Sequence, residues 1–250
     1  MSYEPHISTT AARPSLVSLR AKAFLVHCYT ASTMIVLLVA TSFLLNGQLT
    51  EALFTMLLTI VIDATDGSLA RRYKVKQYAP EYDGRTMDDI IDYVSYVFLP
   101  VVFLIKAGML LEPVVFFAAF PLVASAFGFS RVNAKLDADG FFVGFPSYWN
   151  IVLAYFYLAN SPAWLNSLII VLLAALVFVP TRYIYITRFP HNRRAHLAGA
   201  SLSGVTLLAA LLISGEIRTA LVLISLVYPL IYTVYSLVLD RRARRAVRLI

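Results

Sequence analysis

Eight long apolar runs constrain the fold of this chain more than any other feature of its sequence. A helix needs about 20 mainly apolar residues to cross the hydrocarbon core of a bilayer. We predict spans at roughly 23–45, 52–70, 88–105, 114–130, 148–159, 164–179, 197–214 and 219–239. The fifth run is short, and residues 145–147 are expected to extend it. The pattern predicts an all-α, polytopic transmembrane helix bundle of about eight spans, with residues 1–250 forming a single integral membrane domain.

The composition favours a membrane protein and excludes several other classes. Of the 250 residues, 60% are hydrophobic and 14% are charged, whereas soluble domains carry about 25% charged residues. The only cysteine, Cys28, lies in an apolar run, so one chain has no disulfide framework and no cysteine-based metal site. The first apolar run has no small-residue cleavage site behind it, and we therefore expect no cleaved signal peptide.

The distribution of Lys and Arg predicts how the spans are oriented, because cytoplasmic loops are enriched in both residues. With eight spans, one side of the membrane receives every Lys and Arg except Lys106 and Arg218. We therefore expect a cytoplasmic N-terminal segment, 1–22, and a basic cytoplasmic tail, 240–250. Residues 15–22 are predicted to form a short amphipathic surface helix. The net charge of +7 then reflects topology and attraction to anionic lipids, and no nucleic-acid partner is expected.

Four acidic residues lie at the cytoplasmic ends of two consecutive predicted spans. Asp63 and Asp66 are three residues apart near the end of the second span, and Asp88 and Asp92 are four apart at the start of the third. Residues at these spacings share a helix face. Because antiparallel neighbours bring both pairs to one depth in the membrane, we expect the four carboxylates to face one another.

Four carboxylates held close together at the edge of a low-dielectric region repel one another and require a counter-cation. Mg²⁺ and Mn²⁺ prefer carboxylate and water oxygens as ligands. Two such ions about 4 Å apart can share bridging carboxylates while they bind a diphosphate. The acids therefore predict a two-metal site for phosphoryl transfer that contains Mn²⁺ or Mg²⁺.

Small residues beside the acids leave room for a ligand. Gly67 and Ala70 follow the acids of the second span, and Gly84 precedes those of the third. Small residues also allow two membrane helices to pack closely, and the spacing alone leaves this alternative open. Arg71 lies one turn beyond Gly67, where a guanidinium is suited to bidentate contact with a phosphate.

These residues resemble the signature of the CDP-alcohol phosphotransferases, D-x2-D-G-x2-A-R followed by G-x3-D-x3-D. All fixed positions are present, as Asp63, Asp66, Gly67, Ala70, Arg71, Gly84, Asp88 and Asp92. The spacer, residues 72–83, is longer than the usual spacer of the family. This departure affects the expected geometry of the loop and leaves the acids in place.

Within the family, the chain resembles the bacterial phosphatidylcholine synthases. The resemblance rests on the long spacer, on VHCYTAS at 26–32, on FFVGFPSYWNIV at 141–152 and on the eight predicted spans. It implies transfer of a phosphatidyl group from CDP-diacylglycerol to choline with release of CMP and a requirement for Mn²⁺ or Mg²⁺. It also implies a homodimer in the bacterial inner membrane with a cytoplasmic active site.

The resemblance further implies roles for individual residues. Metal ligands would be Asp63, Asp66, Asp88 and Asp92, and Asp92 would also act as the general base on the choline hydroxyl. A carboxylate within hydrogen-bond reach can take the proton of a hydroxyl as it attacks phosphorus. The residues around CDP-diacylglycerol would be Asp66, Gly67, Ala70, Arg71 and Gly84.

The quaternary ammonium of choline cannot donate a hydrogen bond, so aromatic faces are expected to bind it. The candidates at predicted cytoplasmic helix ends are Tyr82, Tyr93, Tyr96, Tyr148, Trp149, Tyr183 and Tyr185, although Tyr and Trp line the interface of any membrane protein. Two alternatives stay open. The acceptor could be serine, inositol or glycerol phosphate, for which Arg131, Lys135 and Arg182 offer positive charge. A cation transporter could also use intramembrane acids.

Overall fold

Helices form most of the computed structural model, which describes residues 15–132, 134–136 and 140–248. In chain order they are α1 (Leu16–Leu45), α2 (Leu49–Arg72), α3 (Val75–Tyr78), α4 (Gly84–Asp92), α5 (Leu99–Lys106), α6 (Val114–Ser130), α7 (Trp149–Leu158), α8 (Ala163–Phe178), α9 (Arg193–Leu212) and α10 (Glu216–Arg248). Every predicted span coincides with one of these helices or with α4 and α5 together. The predicted class, a helical membrane bundle, is confirmed.

The helices differ in whether they are long enough to cross a bilayer. Within the described residues, α1, α2, α9 and α10 are long and apolar enough, and α6, α7 and α8 are shorter apolar helices. The ten residues of α7 rise only about 15 Å, roughly half the hydrocarbon thickness. Residues 145–147 do not lengthen α7, because their backbone is irregular. Eight complete crossings therefore stay a prediction.

The first helix begins before the predicted first span. Ser15 caps α1, and its Oγ accepts a hydrogen bond from the N–H of Ser18 at 3.2 Å. From Leu16 the helix continues without a break to Leu45. Residues 15–22 are thus helical as predicted, but they extend the first span, and the expectation of a separate surface helix is corrected. The rest of the predicted N-terminal segment, 1–14, lies outside the described residues.

A π-helical turn, Tyr93–Phe98, joins α4 to α5 in one continuous helix. Pro100 follows in the first turn of α5 and explains why the helix widens into a π-helical turn before it. Proline lacks the N–H that would donate to the carbonyl four residues earlier, and its ring crowds that carbonyl. A wider turn before Pro100 relieves this crowding. π-helical turns are frequent at functional sites, and this one directly follows Asp92.

A small antiparallel sheet lies between the helices and was missed by the all-α prediction. Its strands are β1 (Lys135–Leu136), β2 (Phe141–Val143) and β3 (Arg182–Ile184), in the order β1-β2-β3. Gly144 follows β2 with φ +87°, and a side chain there would overlap the carbonyl oxygen of Val177 at the end of α8. The FFVG stretch therefore forms a strand and a tight turn before α7.

The packing of the last helix fixes its position against this sheet. α10 packs against α9 and against β3. The backbone N–H of Ile184 donates to Ser236 Oγ at 3.2 Å, and the N–H of Arg182 donates to Asp240 Oδ1 at 3.1 Å. Arg244 donates to Asp240 Oδ2 at 2.7 Å. Because the two bonds from β3 to Ser236 and Asp240 each require one rotation of α10, they determine which helix face meets the sheet, and Arg244 holds the Asp240 carboxylate within the helix.

Candidate active site

Three of the four predicted acids come together between the second half of α2 and the middle and end of α4. Asp63 on α2 and Asp88 and Asp92 on α4 each place a carboxylate oxygen within 4.8 Å of the other two, and all three side chains are half-buried. Oxygens of three carboxylates at this separation repel one another unless a cation lies among them. A set of carboxylate oxygens is also what hard divalent cations prefer. The residues present therefore fit a divalent metal ion.

The fourth acid, Asp66, has a different environment. It is 7% exposed, and its Oδ2 accepts a hydrogen bond from Thr30 Oγ1 on α1 at 2.9 Å. Asp66 does not belong to the group of three acids, and its role as a metal ligand stays a prediction. Thr30 was not among the predicted site residues. The only signal for it in the sequence was its place in the 26–32 stretch.

Tyr96 directly contacts the acidic group. Its hydroxyl donates to Asp63 Oδ2 at 2.7 Å, and the side chain is 8% exposed. The residue belongs to the π-helical turn that follows Asp92, so this turn places a phenol beside the carboxylates. A group that hydrogen-bonds a ligating carboxylate orients it and tunes its affinity for metal. The sequence predicted Tyr96 only as an aromatic contact for choline.

The start of α4 is fixed by its capping residue. Asp83 Oδ1 accepts from the N–H of Arg85 at 2.9 Å, and Oδ2 accepts from Thr86 Oγ1 at 2.9 Å. The bond from Thr86, and then that from Arg85, lowers the pKa of Asp83 from its ordinary value. The cap therefore stays ionised at neutral pH and defines where α4, which carries Asp88 and Asp92, begins.

The residues predicted to surround CDP-diacylglycerol lie beside the acids on the same two helices. Arg71 folds back over Gly67, because its Nη1 lies 3.5 Å from where a Cβ on that glycine would be. A Cβ on Gly84 would lie 3.2 Å from Cε1 of His27. Ala70 packs in a small apolar cluster between α1 and α3. Gly84 and Ala70 thus serve close helix packing, whereas Gly67 faces only the side chain of Arg71 on its own helix. The ligand interpretation stays a prediction.

His27 on α1 is buried against the start of α4. It is 5% exposed, and its Nε2 has no hydrogen-bond partner among the described residues. Its ring lies edge-on to Tyr82, with centroids 5.9 Å apart. Together with Gly84 on the start of α4, His27 brings the middle of α1 close to the helix that carries two of the acids.

Four of the seven predicted choline contacts form two pairs. Tyr96 and Tyr148 are 6.1 Å apart between ring centroids, beside the acids. Tyr183 and Tyr185 belong to β3 and the residues after it, and Tyr148 packs against the apolar cluster that contains Tyr183. Burial, and then the charge of Asp240, raises the pKa of Tyr183 above its ordinary value, so its ring stays neutral at physiological pH.

The other three candidates have structural partners of their own. Trp149 is 1% exposed and its Nε1 donates to Ser125 Oγ at 2.8 Å. The Tyr93 hydroxyl donates to the Leu122 carbonyl at 2.9 Å, and Tyr82 is 53% exposed. The structure therefore does not bring these side chains to the group of acids.

Comparison with known proteins places this geometry in a family. The family described as CDP-alcohol phosphatidyltransferase matches residues 25–179. Over 142 residues the chain is 44% identical to a phosphatidylcholine synthase of Legionella bozemanae, a match that covers 56% of this chain and 65% of the relative.

Two further relatives are also phosphatidylcholine synthases. The phosphatidylcholine synthase of Pseudomonas aeruginosa is 38% identical over 167 residues, which is 66% of this chain and 70% of the relative. That of Borreliella burgdorferi is 34% identical over 173 residues, 69% of this chain and 74% of the relative. The region matched by the family contains all four predicted acids, most of α1, and α2 to α8. This chain therefore belongs to the CDP-alcohol phosphatidyltransferase family of membrane enzymes.

Proposed function

We propose that this enzyme transfers the phosphatidyl group of CDP-diacylglycerol to choline, forming phosphatidylcholine and CMP. The observation that carries the proposal is the group formed by Asp63, Asp88 and Asp92, which lies beside Tyr96 and Tyr148. Carboxylates suit the metal that a diphosphate donor needs, and aromatic faces suit a quaternary ammonium acceptor. The names of the relatives are consistent with this combination.

In the proposed site, Asp63, Asp66, Asp88 and Asp92 hold two ions, Mn²⁺ or Mg²⁺. Bound metal would neutralise the diphosphate and stabilise CMP as it leaves. Asp92 takes the proton of the choline hydroxyl. The choline oxygen forms its bond to the phosphorus of the phosphatidyl group, and the bond from that phosphorus to the oxygen of CMP breaks.

The proposed donor site lies beside the acids, along α2 and the start of α4. The Arg71 guanidinium donates hydrogen bonds to phosphate oxygens of CDP-diacylglycerol, a geometry that guanidinium favours. Gly67, Ala70 and Gly84 leave space for the nucleotide, and Asp66 contacts it. The position of Arg71 over Gly67 supports this arrangement, because the side chain already points along the helix toward the acids.

The surroundings of Arg131 favour choline over a phosphorylated acceptor. A phosphorylated alcohol needs extra cations in the pocket, and Arg131 is one of the three basic residues that the sequence offers for this purpose. Its Nη1 donates to the Val143 carbonyl at 3.0 Å and its Nη2 donates to the Val177 carbonyl at 3.1 Å. This guanidinium thus joins β2 to the end of α8, and it is occupied by a structural role.

We also propose a location and an assembly. The long apolar helices place the chain among membrane lipids, and the concentration of basic residues on one side supports cytoplasmic termini and a cytoplasmic active site. As the family resemblance implies, the bacterial inner membrane is the proposed location, and a homodimer is the proposed assembly. Residues 1–250 act as one integral domain.

Product formation by purified protein tests the proposed reaction. The assay supplies CDP-diacylglycerol, Mn²⁺ and radiolabelled choline, with labelled serine, inositol and glycerol phosphate in parallel reactions. We expect label in chloroform-soluble phosphatidylcholine, stoichiometric release of CMP and loss of both products when a chelator removes the metal. If only one of the other alcohols gives a labelled lipid, choline is not the acceptor. Phosphatidyl transfer from CDP-diacylglycerol would still be the reaction.

Two substitutions show whether the acids carry the reaction. Asp92→Asn is expected to abolish product formation, because an amide cannot accept the proton and is a weak metal ligand. Glu51→Gln is the matched control, since Glu51 lies in the first turn of α2, at the opposite end of that helix from Asp63. Equal activity of the two variants would refute the proposed site. Metal-dependent cation flux without CMP would instead indicate a transporter.

A further inference from the structure

The hydroxyl of Tyr232 on α10 is buried and makes no regular hydrogen bond with the described residues. The side chain is 8% exposed. The phenol of Tyr148 is its polar neighbour, at a geometry that falls short of a regular hydrogen bond. Buried hydroxyls in native structures are almost always paired, because an unpaired one destabilises the fold. Two buried phenol oxygens that lie side by side without a regular hydrogen bond therefore indicate a surface that can face a ligand.

The position of Tyr232 is fixed by the helix that carries it. Tyr232, Ser236 and Asp240 follow one another at intervals of four residues and lie on one face of α10. Ser236 and Asp240 accept hydrogen bonds from the backbone of β3. Because these two contacts set the rotation of α10, Tyr232 is held facing inward with little freedom to turn away.

A row of phenol rings connects Tyr232 to the group of acids. Tyr232 stacks on Tyr183 with centroids 6.5 Å apart, and Tyr148 packs against the cluster that both rings belong to. Tyr148 in turn lies 6.1 Å from Tyr96, whose hydroxyl donates to Asp63 at 2.7 Å. The rings thus form one aromatic wall that begins at the carboxylates.

Tyr232 lies outside the part of the chain that defines the family. The family match ends at residue 179, whereas β3, α9 and α10 follow it. Chemistry common to the family resides in the matched part, which contains all four acids. Members of the family differ in the acceptor alcohol that they use. Contacts supplied by α10 are therefore suited to selecting that alcohol.

We propose that Tyr232 and Tyr148 receive the trimethylammonium group of the acceptor, which makes Tyr232 a specificity-determining residue. This inference rests on the proposed function. The nitrogen of choline is two carbons from its hydroxyl, so the cation lies close to the carboxylates when the hydroxyl is at Asp92, and the aromatic wall begins beside those carboxylates. The faces of the rings attract the cation. The Tyr232 oxygen carries a partial negative charge and faces the trimethylammonium, which cannot donate a hydrogen bond. Alternative acceptors that carry a carboxylate or a phosphate would lose the hydration of that anionic group at the aromatic wall, which disfavours their binding.

A neutral analogue of choline separates the charge from the shape. In 3,3-dimethylbutan-1-ol a carbon atom replaces the ammonium nitrogen, and the outline of the molecule is preserved. We expect the wild-type enzyme to prefer choline over this analogue by about tenfold in kcat/KM, within the range of a desolvated cation–π contact. Tyr232→Leu is expected to remove most of this preference and to raise the choline KM about tenfold. The KM for CDP-diacylglycerol is expected to stay unchanged.

Two further variants complete the experiment. Tyr235→Leu is the matched control, because Tyr235 lies on the same helix, is half-buried and stacks on His196. It is expected to keep the preference for choline. Tyr232→Phe removes only the phenol oxygen, so we expect a melting temperature close to that of the wild type, with a choline KM raised about threefold, which is about half of a tenfold effect in free energy.

The outcomes distinguish this inference from the proposed reaction. If the wild-type enzyme forms no phosphatidylcholine, the proposed function fails before any variant is compared. If it does, an unchanged preference for choline in the Tyr232 variants overturns the inference, as does an equal loss in Tyr235→Leu. If Tyr232→Leu does not fold, Tyr232→Phe decides alone, and an unchanged choline KM in that variant also overturns it.

Discussion

Replacing Tyr96 with phenylalanine would delete one hydroxyl and keep the volume of the ring. The lost contact is the 2.7 Å hydrogen bond to Asp63 Oδ2, formed by a side chain that is 8% exposed. Hydrogen bonds to charged groups contribute about 1.5–3 kcal/mol. Groups that orient a metal ligand typically change metal affinity by roughly 10- to 100-fold. We therefore expect the Mn²⁺ concentration for half-maximal activity to rise at least about tenfold in Tyr96→Phe.

The assay is phosphatidylcholine formation at fixed substrate concentrations as Mn²⁺ is varied. Most of the wild-type rate is expected to return at saturating metal, because the carboxylates themselves are intact. Tyr93→Phe is the control, since the Tyr93 hydroxyl donates to the Leu122 carbonyl at 2.9 Å from the same π-helical turn. An unchanged metal requirement in Tyr96→Phe, or an equal change in Tyr93→Phe, would show that the contact does not orient a metal ligand.

Three other substitutions test neighbouring contacts. Thr30→Val removes the donor to Asp66 and is expected to raise the KM for CDP-diacylglycerol severalfold; an unchanged KM would separate Asp66 from the donor site. Gly84→Ala places a Cβ 3.2 Å from His27 and is expected to destabilise the fold by about 1–3 kcal/mol, with less effect in a His27→Ala background when both are measured by thermal unfolding. Gly199→Ala would overlap the ring of Tyr228 and is expected to lower the melting temperature, whereas Gly204→Ala, with no atom nearby, is not; similar melting temperatures would contradict the packing.

The sequence predicted the helices well because a bilayer imposes a simple requirement on composition. Apolar runs between basic loops indicated where each helix lies, and the structure has a helix at every one of them. The three-strand sheet was missed since its strands have only two or three residues each. Runs that short carry no readable alternation of polar and apolar residues, and the sheet depends on contacts between distant segments.

The candidate site was also only partly predictable. The spacing of Asp63, Asp88 and Asp92 determines which helix faces they occupy. Antiparallel packing of the two helices then brings these faces together. Nothing in the local sequence shows that Thr30 contacts Asp66, because the partners lie on different helices. The same holds for the choice among aromatic candidates, since Tyr and Trp are common at every membrane interface.

By itself, the amino-acid sequence determined that the chain is a helical membrane protein with an acidic phosphotransfer signature. Both properties depend on residue type and on spacing along a single helix, which local geometry dictates. Only the tertiary structure decided that Tyr96 contacts Asp63 and that Tyr232 lies buried beside Tyr148. The physical reason is that such contacts depend on how α10 is rotated against β3 and how α4 passes α2, and packing between distant segments fixes both.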